Sequence, residues 1–357
     1  MKMCNATIAV TGLNASESPG PGVAVIRSIR SAQEFKGKIV GMSYDPLDTG
    51  IYINGVCDSA YLIPYPSQGS KVLLRRIVEI HEQTPLDAII PTLDAELPAF
   101  IAIEAELQTL GIGLFLPTAD SIKMCSKAML TNLAEDGVAV PRGKCITDIP
   151  SLYRLGKEFT YPMVIKGRFY EADVVYSAIE AERSFRRLAA KWGLPIIVQE
   201  FLPGEEYDVV ALGDGKGGLL GAVPMRKMQL TDKGKAWGGV TISDPKLTEF
   251  VRETMARLKW RGPCELETIK STKDGSYYLI ELNPRFPAWC FLSGAAGQNL
   301  PWYVAQLALG QDIEAVTDYK TGIMFLRHSI DMVYPLEMYE AMTTLGEVHK
   351  ERSECHA

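Results

Sequence analysis

The chain has 357 residues, of which 47% are hydrophobic and 22% charged, and its formal net charge at pH 7 is −6. This composition is typical of a globular protein, and the negative charge disfavours a nucleic-acid partner. No apolar run approaches the ~18 residues that cross a membrane, and the cysteines are scattered without a CxxC pair. We therefore expect a cytoplasmic protein with reduced thiols that contacts neither membranes nor nucleic acids.

The first third of the chain alternates short apolar strands with helical segments. Such an alternation favours a parallel sheet with crossover helices. The predicted strands cover residues 7–10, 38–43, 60–64 and 88–91, and the predicted helices begin near Pro21 and cover 71–83 and 95–110.

Polar groups at the ends of these strands allow more than one interpretation. The glycines between Gly12 and Gly22 follow the first strand and open a helix, with Asp45 after the second strand. Their spacing is not GxGxxG, so they indicate a dinucleotide site only weakly, and the helix start can instead bind a substrate carboxylate. Asp94 and Glu96 follow the fourth strand and are candidates for recognising an amine.

The pattern changes after Pro117. A helix is predicted over 118–136 with Thr118 as its N-cap, and longer strands and hairpins follow. The predicted strands cover 162–166, 174–177, 196–201, 207–213, 218–225, 264–269 and 277–282, and the predicted helices cover 179–192 and 245–259.

The last predicted hairpin, which turns at Asp274-Gly275, collects oxygen ligands. Glu265 and Glu267 share one face of their strand, and Glu281 and Asn283 share a face of the partner strand. Carboxylate and amide oxygens suit Mg²⁺, which takes its remaining ligands from phosphates and water. The alternative is an exposed hairpin whose acids face solvent.

The segment after this strand, Asn283-Pro284-Arg285, adds a planar cation beside the oxygen ligands, suited to phosphate or carboxylate. Glu-Leu-Asn-Pro-Arg with Glu267 on the preceding strand resembles the metal-binding signature of ATP-grasp enzymes, closest to the carbamoyl-phosphate-synthase-like branch of carboxylate–amine ligases. Further segments resemble parts of that family in the expected order: 126–141 its helix leading into the ATP lobe, 161–166 its phosphate-lysine strand, and 197–206 its adenine hinge and ribose segment.

The resemblance implies a role for each matching residue. Lys127 and Lys166 contact the phosphates of ATP, although Lys127 is one residue closer to Gly137 than usual, which makes Lys123 the fallback. Without the resemblance, Lys166 reads as a solvated lysine at a strand end and Glu206 as a loop acid. The remaining implied roles are Gln199, Glu200, Phe201 and Leu202 at the adenine edge, Glu206 at the ribose, Glu267, Glu281 and Asn283 as ligands of Mg²⁺ or Mn²⁺, and Arg285 facing the transferred phosphoryl group.

Two segments bear on how the phosphates of ATP would be held. The family has a glycine- and serine-rich loop after the phosphate lysine, whereas residues 166–173 contain one glycine and two aromatics. Either Arg168 supplies the missing positive charge or the nucleotide is held differently. Residues 226–239 combine basic side chains with paired glycines, which fits a closing loop with Arg226 as its catalytic member, or a solvated hairpin end.

The resemblance implies an α/β protein with an ATP-grasp fold, preceded by a Rossmann-like domain. The implied function is ATP-dependent ligation of a carboxylate to an amine, an amino acid or peptide, through an acyl phosphate with release of ADP. The alternatives are an ATP-grasp protein that binds nucleotide without ligase activity and, on the N-terminal glycines alone, an NAD-dependent oxidoreductase. A homodimer is a further expectation. The expected divisions are 1–117, the Rossmann-like domain; 118–195, the small ATP-grasp lobe; 196–315, the lobe with the metal site; and 316–357, a C-terminal extension.

Overall fold

The computed structural model describes residues 3–15, 19–168, 171–231 and 234–350. Its first part is a parallel sheet, and the elements in chain order are β1 (Thr7–Val10), α1 (Gly22–Ser31), β2 (Lys38–Ser43), β3 (Ser59–Leu62), α2 (Ser70–Gln83), β4 (Ala88–Ile90), α3 (Leu97–Ala102) and α4 (Glu104–Thr109). The strands lie in the order β3-β2-β1-β4. All of these neighbours are parallel, so α1 and α2 act as crossovers, as the alternation predicts.

The predicted helix over 95–110 is wrong in one respect, because the chain breaks it at Ile103. Ile103 has φ −116° and ψ 9°, outside the helical region, and separates α3 from α4. Ile103 and Leu107 are both buried, at 3% and 0% exposure. The turn between the two short helices lets both side chains reach the core.

The second part contains an antiparallel sheet with helices packed on it. Its elements are α5 (Ala119–Met124), β5 (Gly143–Ile146), α6 (Ile149–Glu158), β6 (Met163–Lys166), β7 (Ala172–Val175), α7 (Ala178–Trp192) and β8 (Ile196–Glu200). The strands lie in the order β5-β8-β6-β7, and α6 and α7 contribute Leu152, Leu155 and Leu188 to the core beneath them.

The predicted helix over 118–136 begins where expected but ends early. The Thr118 side chain accepts a hydrogen bond from the Ser121 amide at 3.1 Å, as an N-cap does. The helix stops at Met124, and a separate 3₁₀ turn covers Leu130–Ala134. Leu130 and Leu133 are buried in the core below the large sheet, and the break between the two turns directs Lys127 toward that sheet.

The third part is a large antiparallel sheet with the order β13-β12-β9-β10-β11-β14. The elements of this part are β9 (Gly204–Asp214), β10 (Leu219–Leu230), β11 (Ala236–Thr241), α8 (Pro245–Leu258), β12 (Arg261–Ser271), β13 (Tyr277–Asn283), α9 (Phe291–Ala295), α10 (Leu300–Ala308), β14 (Met324–Leu326) and α11 (Leu336–Thr344). A last strand, β15 (Glu347–His349), follows and belongs to the parallel sheet. Gly275, at φ 72°, supplies the backbone conformation that the turn between β12 and β13 needs.

The two faces of the large sheet differ. One face packs Val209, Ala211 and Leu266 against α8, which buries Leu247 and Met255. The opposite face is apolar over β9 and β10, where Val210 and others meet α1, α9 and α10, and charged toward β12 and β13. The alternation of side chains along each strand therefore separates a hydrophobic core from a polar surface.

The C-terminal segment contributes one strand to the large sheet and one strand to the parallel sheet. Strand β14 pairs with β11 at the edge of the large sheet, and β15 pairs with β3 at the edge of the parallel sheet. The sequence reasoning assigned no motif to this segment, and the expected domain boundaries stay predictions. None of the helices in the described ranges is long and apolar enough to cross a membrane.

Candidate functional site

The hairpin of β12 and β13 brings the predicted metal ligands together. Glu265 lies opposite Asn283, and Glu267 lies opposite Glu281. The Asn283 side-chain nitrogen lies 3.2 Å from Glu265 Oε2 and 3.2 Å from Glu267 Oε1. The predicted ligand set therefore occupies adjacent positions on one face of the sheet.

The donor chemistry of this set fits a hard divalent cation. The Asn283 side-chain nitrogen faces the carboxylates of Glu265 and Glu267, so its amide oxygen points away from them. Within the described ranges, no group of three or more His, Cys, Asp and Glu side chains is placed so that it could hold a metal ion. A site of two carboxylates and one amide is consistent with Mg²⁺, which needs few protein ligands.

Two predicted phosphate lysines lie next to this hairpin. Lys127 Nζ is 3.2 Å from Glu281 Oε2, and Lys166 Nζ donates to the Ile280 carbonyl at 3.4 Å. Burial lowers the pKa of Lys166 to about 8, Glu281 opposes this shift and Lys127 adds to it. The fallback Lys123 lies elsewhere, because it is exposed and pairs with an exposed aspartate three residues before it. The structure therefore brings Lys127, and not Lys123, to the site.

Arg285 is held in place from two directions. Its Nη1 donates to Glu265 Oε2 at 2.7 Å, and its Nε donates to Asp94 Oδ2 at 3.2 Å. Glu265 also accepts a hydrogen bond from Trp289 Nε1 at 2.8 Å. Burial raises the pKa of Glu265, and Arg285 partly offsets this effect. Glu265 thus orients Arg285, while Asp94 connects it to the end of the parallel sheet.

Lys227 is a member of the charged face that the sequence reasoning did not select. Its Nζ lies 3.2 Å from Asp208 Oδ1, 3.3 Å from Glu206 Oε2 and 3.4 Å from Glu267 Oε2, and the side chain is only 8% exposed. Although burial opposes it, Asp208 and Glu267 raise the pKa of Lys227 above its ordinary range. The ammonium group therefore stays charged.

Arg226, the predicted catalytic residue of this segment, is not brought into the cluster. It lies in strand β10, opposite Tyr207, and is exposed. Successive side chains of a strand point to opposite faces, so Lys227 and Arg226 face different sides of the sheet. The described part of 226–239 forms the ends of strands β10 and β11, and Lys233 lies outside the described residues.

The predicted adenine hinge follows strand β8. Gln199 is 3% exposed and Leu202 is 9% exposed, while Phe201 is partly buried. The Glu200 carboxylate is engaged by Arg142, whose main-chain N–H donates at 2.8 Å and whose Nη2 lies at 3.0 Å. The side chain of Glu200 is thus already paired, which leaves the main chain of 200–202 to meet a ligand.

The comparisons with known proteins agree with this geometry. A sequence profile of the family described as "ATP-grasp in the biosynthetic pathway with Ter operon" matches residues 194–328. The carbamoyl phosphate synthase large chain of Thermotoga neapolitana is 26% identical over 282 residues, which are 71% of this chain and 25% of that protein. A phosphoribosylamine–glycine ligase of Synechocystis sp. is 31% identical over 215 residues, which are 54% of this chain and 51% of that protein.

Among solved structures, a biotin carboxylase of Campylobacter jejuni, solved as its β-γ-ATP complex, superposes with a TM-score of 0.67 at 16% identity. The superposition covers 86% of this chain and 72% of the carboxylase. The chain belongs to the ATP-grasp superfamily. The expected family and the ATP-grasp fold are thereby confirmed, while the chain spans only a quarter to a half of these sequence relatives.

The loop that departs from the ATP-grasp pattern, residues 166–173, is held at its C-terminal end by ion pairs with helix α7. The Gly167 amide donates to the Glu171 carbonyl at 3.0 Å, and Glu171 has φ 67°, a left-handed conformation uncommon for a residue with a side chain. Arg187 on α7 contacts Glu171 at 2.5 Å and Asp173 at 2.6 Å, and Lys191 also pairs with Glu171. These hydrogen bonds lower the pKa of Glu171 to about 2.

This clamp holds the loop against α7 from its carboxyl end. Phe169 and Tyr170, the bulky residues of the atypical sequence, lie outside the described residues. The described part of the loop follows directly on Lys166, which keeps it next to the predicted phosphate position of the ATP-grasp site.

The N-terminal acids that follow β4 have different surroundings. Glu96 is fully buried and accepts hydrogen bonds from the Thr11 and Tyr44 hydroxyls and from the amides of Thr92 and Leu93. Its oxygens are thus occupied by the protein, which argues against the predicted contact with an amine. Asp94 is half exposed, and its contact with Arg285 places it beside the ATP-grasp site.

The N-terminal glycines make main-chain hydrogen bonds just after β1. The Gly20 amide donates to the Asn14 carbonyl at 2.7 Å, and the Gly22 amide donates to the Gly12 carbonyl at 3.0 Å. The Asp45 carboxylate accepts a hydrogen bond from the amide two residues later at 2.8 Å. The glycine amides are thus paired with the main chain, and the exposed Asp45 is paired within its own turn, so the described residues give the dinucleotide interpretation no added support.

Proposed function

We propose that the chain is an ATP-dependent, ADP-forming ligase that joins a carboxylate to an amine through an acyl phosphate. The observation that carries this proposal is the position of Lys127 and Lys166 beside Glu281, on the hairpin that also holds Glu267 and Asn283. Such a combination of oxygen ligands and cations suits a nucleotide bound with a metal ion. Phosphoryl transfer depends on charge neutralisation and alignment more than on covalent chemistry by the protein.

Each part of the site has a task in this proposal. Glu267, Glu281 and Asn283 would hold Mg²⁺ or Mn²⁺, which supplies charge neutralisation between the phosphates. Lys127 and Lys166 would bind phosphate oxygens, and the main chain of 200–202 would meet the adenine edge, with Glu206 at the ribose. These assignments follow the family resemblance, and the distances at the hairpin support them.

Arg285 would stabilise the negative charge that develops when the carboxylate attacks the γ-phosphate and when the amine displaces phosphate. The hydrogen bonds of Arg285 to both Glu265 and Asp94 support this task, because an arginine side chain that is held from two sides needs little reorganisation. An amino acid or a peptide is the proposed substrate class. The similarity to a phosphoribosylamine–glycine ligase, whose name includes an amino acid, favours this choice.

The proposal is tested by incubating the chain with ATP, Mg²⁺, hydroxylamine and a panel of amino acids and other carboxylates. Formation of a hydroxamate together with ADP is expected for at least one carboxylate. Glu281→Gln and Asn283→Ala should each lower the rate by about 100-fold or more, on the scale of losses at transition-state charge sites. Glu249→Gln, on an exposed part of α8, is the matched control.

A nucleotide-binding protein without ligase activity is the second candidate, favoured by the atypical loop after Lys166. It predicts that ATP binds while no carboxylate in the panel yields hydroxamate or ADP. If the chain is a ligase, full activity in Glu281→Gln and Asn283→Ala would contradict the metal assignment.

A further inference from the structure

The surroundings of Lys227 point to a role beyond packing. Asp208 is almost completely buried and lies directly opposite Glu267 in the pairing of β9 with β12, and Glu206 lies on the same face of β9. Like charges at opposing positions of a sheet repel each other, and a buried carboxylate without a cation is costly. Lys227, from the neighbouring strand β10, supplies the positive charge that these carboxylates share.

Both oxygens of Glu267 are engaged in this arrangement. Asn283 lies 3.2 Å from Oε1, and Lys227 lies 3.4 Å from Oε2. A metal ion that binds Glu267 Oε2 would therefore lie beside an ammonium group, and repulsion between the two positive charges favours withdrawal of the lysine. The lysine contact is the longer one, and Lys227 also lies 3.2 Å from Asp208 and 3.3 Å from Glu206, so it has other partners when it withdraws from Glu267. A lysine on a flexible stem can make this small movement, whereas a guanidinium fork is less free to do so.

We propose that Lys227 is a built-in counter-ion that competes with a divalent cation for Glu267 and thereby limits metal binding in the absence of nucleotide. This inference rests on the metal site of the proposed function. The nucleotide phosphates would add ligands and negative charge, so a metal ion would compete more strongly with the ammonium group for Glu267 when the nucleotide is present. Lys227 is thus a positioning residue whose effect is exerted on Glu267.

The test measures metal binding without nucleotide, using the full chain. Free Mn²⁺ is quantified by electron paramagnetic resonance, and the melting temperature is recorded in EDTA and with Mg²⁺. Lys227→Met is expected to bind Mn²⁺ about tenfold more tightly than the wild-type chain, because a positive charge close to the ion is removed. It should also melt at a lower temperature in EDTA and regain more of its stability on addition of Mg²⁺ than the wild-type chain does.

The control variants separate this effect from general damage. Lys227→Arg keeps the charge and should bind Mn²⁺ as weakly as the wild-type chain. Lys216→Met, at an exposed lysine in the turn between β9 and β10, should leave Mn²⁺ binding unchanged. Adding Glu267→Gln to Lys227→Met should remove the gain in affinity. Should Lys227→Met fail to fold in EDTA, recovery of the folded chain by Mg²⁺ supports the proposal, and failure of Mg²⁺ to restore folding overturns it.

Equal or weaker Mn²⁺ binding by Lys227→Met overturns the counter-ion role. If the wild-type chain still forms ADP and hydroxamate in that case, the ligase proposal stands without it. Tighter Mn²⁺ binding by Lys227→Met in a chain that never hydrolyses ATP supports the counter-ion and contradicts the ligase.

Discussion

At the scale of single residues, Glu265 is the acid on which the order of the site depends. Its carboxylate holds Arg285 Nη1 at 2.7 Å and Trp289 Nε1 at 2.8 Å, and the residue is 6% exposed. Glu265→Ala leaves both donors without this partner, so we expect a loss of about 3 kcal/mol in the free energy of unfolding. Glu265→Gln keeps an oxygen that accepts a hydrogen bond, so it should lower the free energy of unfolding by less than Glu265→Ala does. Urea unfolding of each variant provides the measurement.

The matched control is Glu249→Ala on α8, where the side chain is 59% exposed. Its free energy of unfolding should change by less than about 0.5 kcal/mol. Similar values for the two alanine variants would mean that Glu265 does not anchor Arg285.

Which site residues can be predicted from sequence depends on how directly the chain fixes their positions. Glu267, Glu281 and Asn283 could be placed on one face because side chains alternate along each strand, although the pairing of the strands shifts by one residue between Glu267 and Thr268. Lys227 could not be chosen over Arg226, because the choice depends on which face of β10 is covered and the strand also has an irregularity between Lys227 and Gln229. The pairing of Arg285 with Asp94, 191 residues away, depends on how distant segments pack.

At the scale of elements, Asp244 joins the helix that covers the large sheet to the site hairpin. It caps α8 by accepting hydrogen bonds from the amides of Lys246 and Leu247, at 3.0 Å and 3.2 Å. It also accepts from Tyr277 Oη at 2.6 Å and from Lys270 Nζ at 2.8 Å. Asp244→Ala should lower the free energy of unfolding by about 2 kcal/mol, since the helix cap is lost together with the partly buried acceptor of Tyr277 and Lys270.

The contribution of Asp244 should depend on pH. Although burial opposes ionisation, Lys270 and Tyr277 hold the pKa of Asp244 at about 2, below its ordinary value of 3.8. A carboxylate whose pKa is lower in the folded chain stabilises it fully above the unfolded pKa and loses this contribution as the pH falls toward 2. The difference in free energy of unfolding between the wild-type chain and Asp244→Ala should therefore shrink between pH 5 and pH 2, roughly the interval spanned by the two pKa values.

Asp148→Ala serves as a comparison, because Asp148 caps α6 through the Ser151 amide at 2.7 Å but is exposed. Asp148→Ala should lower the free energy of unfolding by about 1 kcal/mol, which is the ordinary contribution of a helix N-cap. A larger loss for Asp148→Ala than for Asp244→Ala would contradict the importance of the contacts with Lys270 and Tyr277.

Helices and strands could be predicted where hydrophobic residues recur with a clear helical or strand period. Strands β1, β2, β9, β12 and β13 and helices α2, α7 and α8 lie close to their predicted positions, whereas β10 extends to Leu230, five residues past its predicted end at residue 225. Residues 118–136 have a helical pattern, but the packing of Leu130 below the sheet interrupts it. Strands β14 and β15 have three residues each, too few for a period to appear, and their partners are distant in sequence.

At the scale of the whole molecule, the C-terminal segment joins the parallel sheet to the rest of the chain. Val348 in β15 lies opposite Ala60 and is 9% exposed, while the Gly346 carbonyl accepts from the Leu62 amide at 2.8 Å. The same segment pairs with the large sheet through β14. Loss of β15 would therefore expose the edge of β3 and detach one of the connections between the two sheets.

Val348→Asp is expected to lower the free energy of unfolding by about 3 kcal/mol, because it forces a carboxylate into an apolar environment without a partner. Val333→Asp is the matched control, since it introduces the same charge into the same C-terminal segment at a side chain that is 93% exposed. Thermal unfolding should show a melting temperature several degrees lower for Val348→Asp and unchanged for Val333→Asp, given the usual relation between stability and melting temperature. Equal melting temperatures for Val348→Asp and the wild-type chain would show that β15 contributes little to the parallel sheet. A lower temperature for both variants would assign the effect to added negative charge, which the chain's net charge of −6 already makes unfavourable, rather than to the loss of the strand.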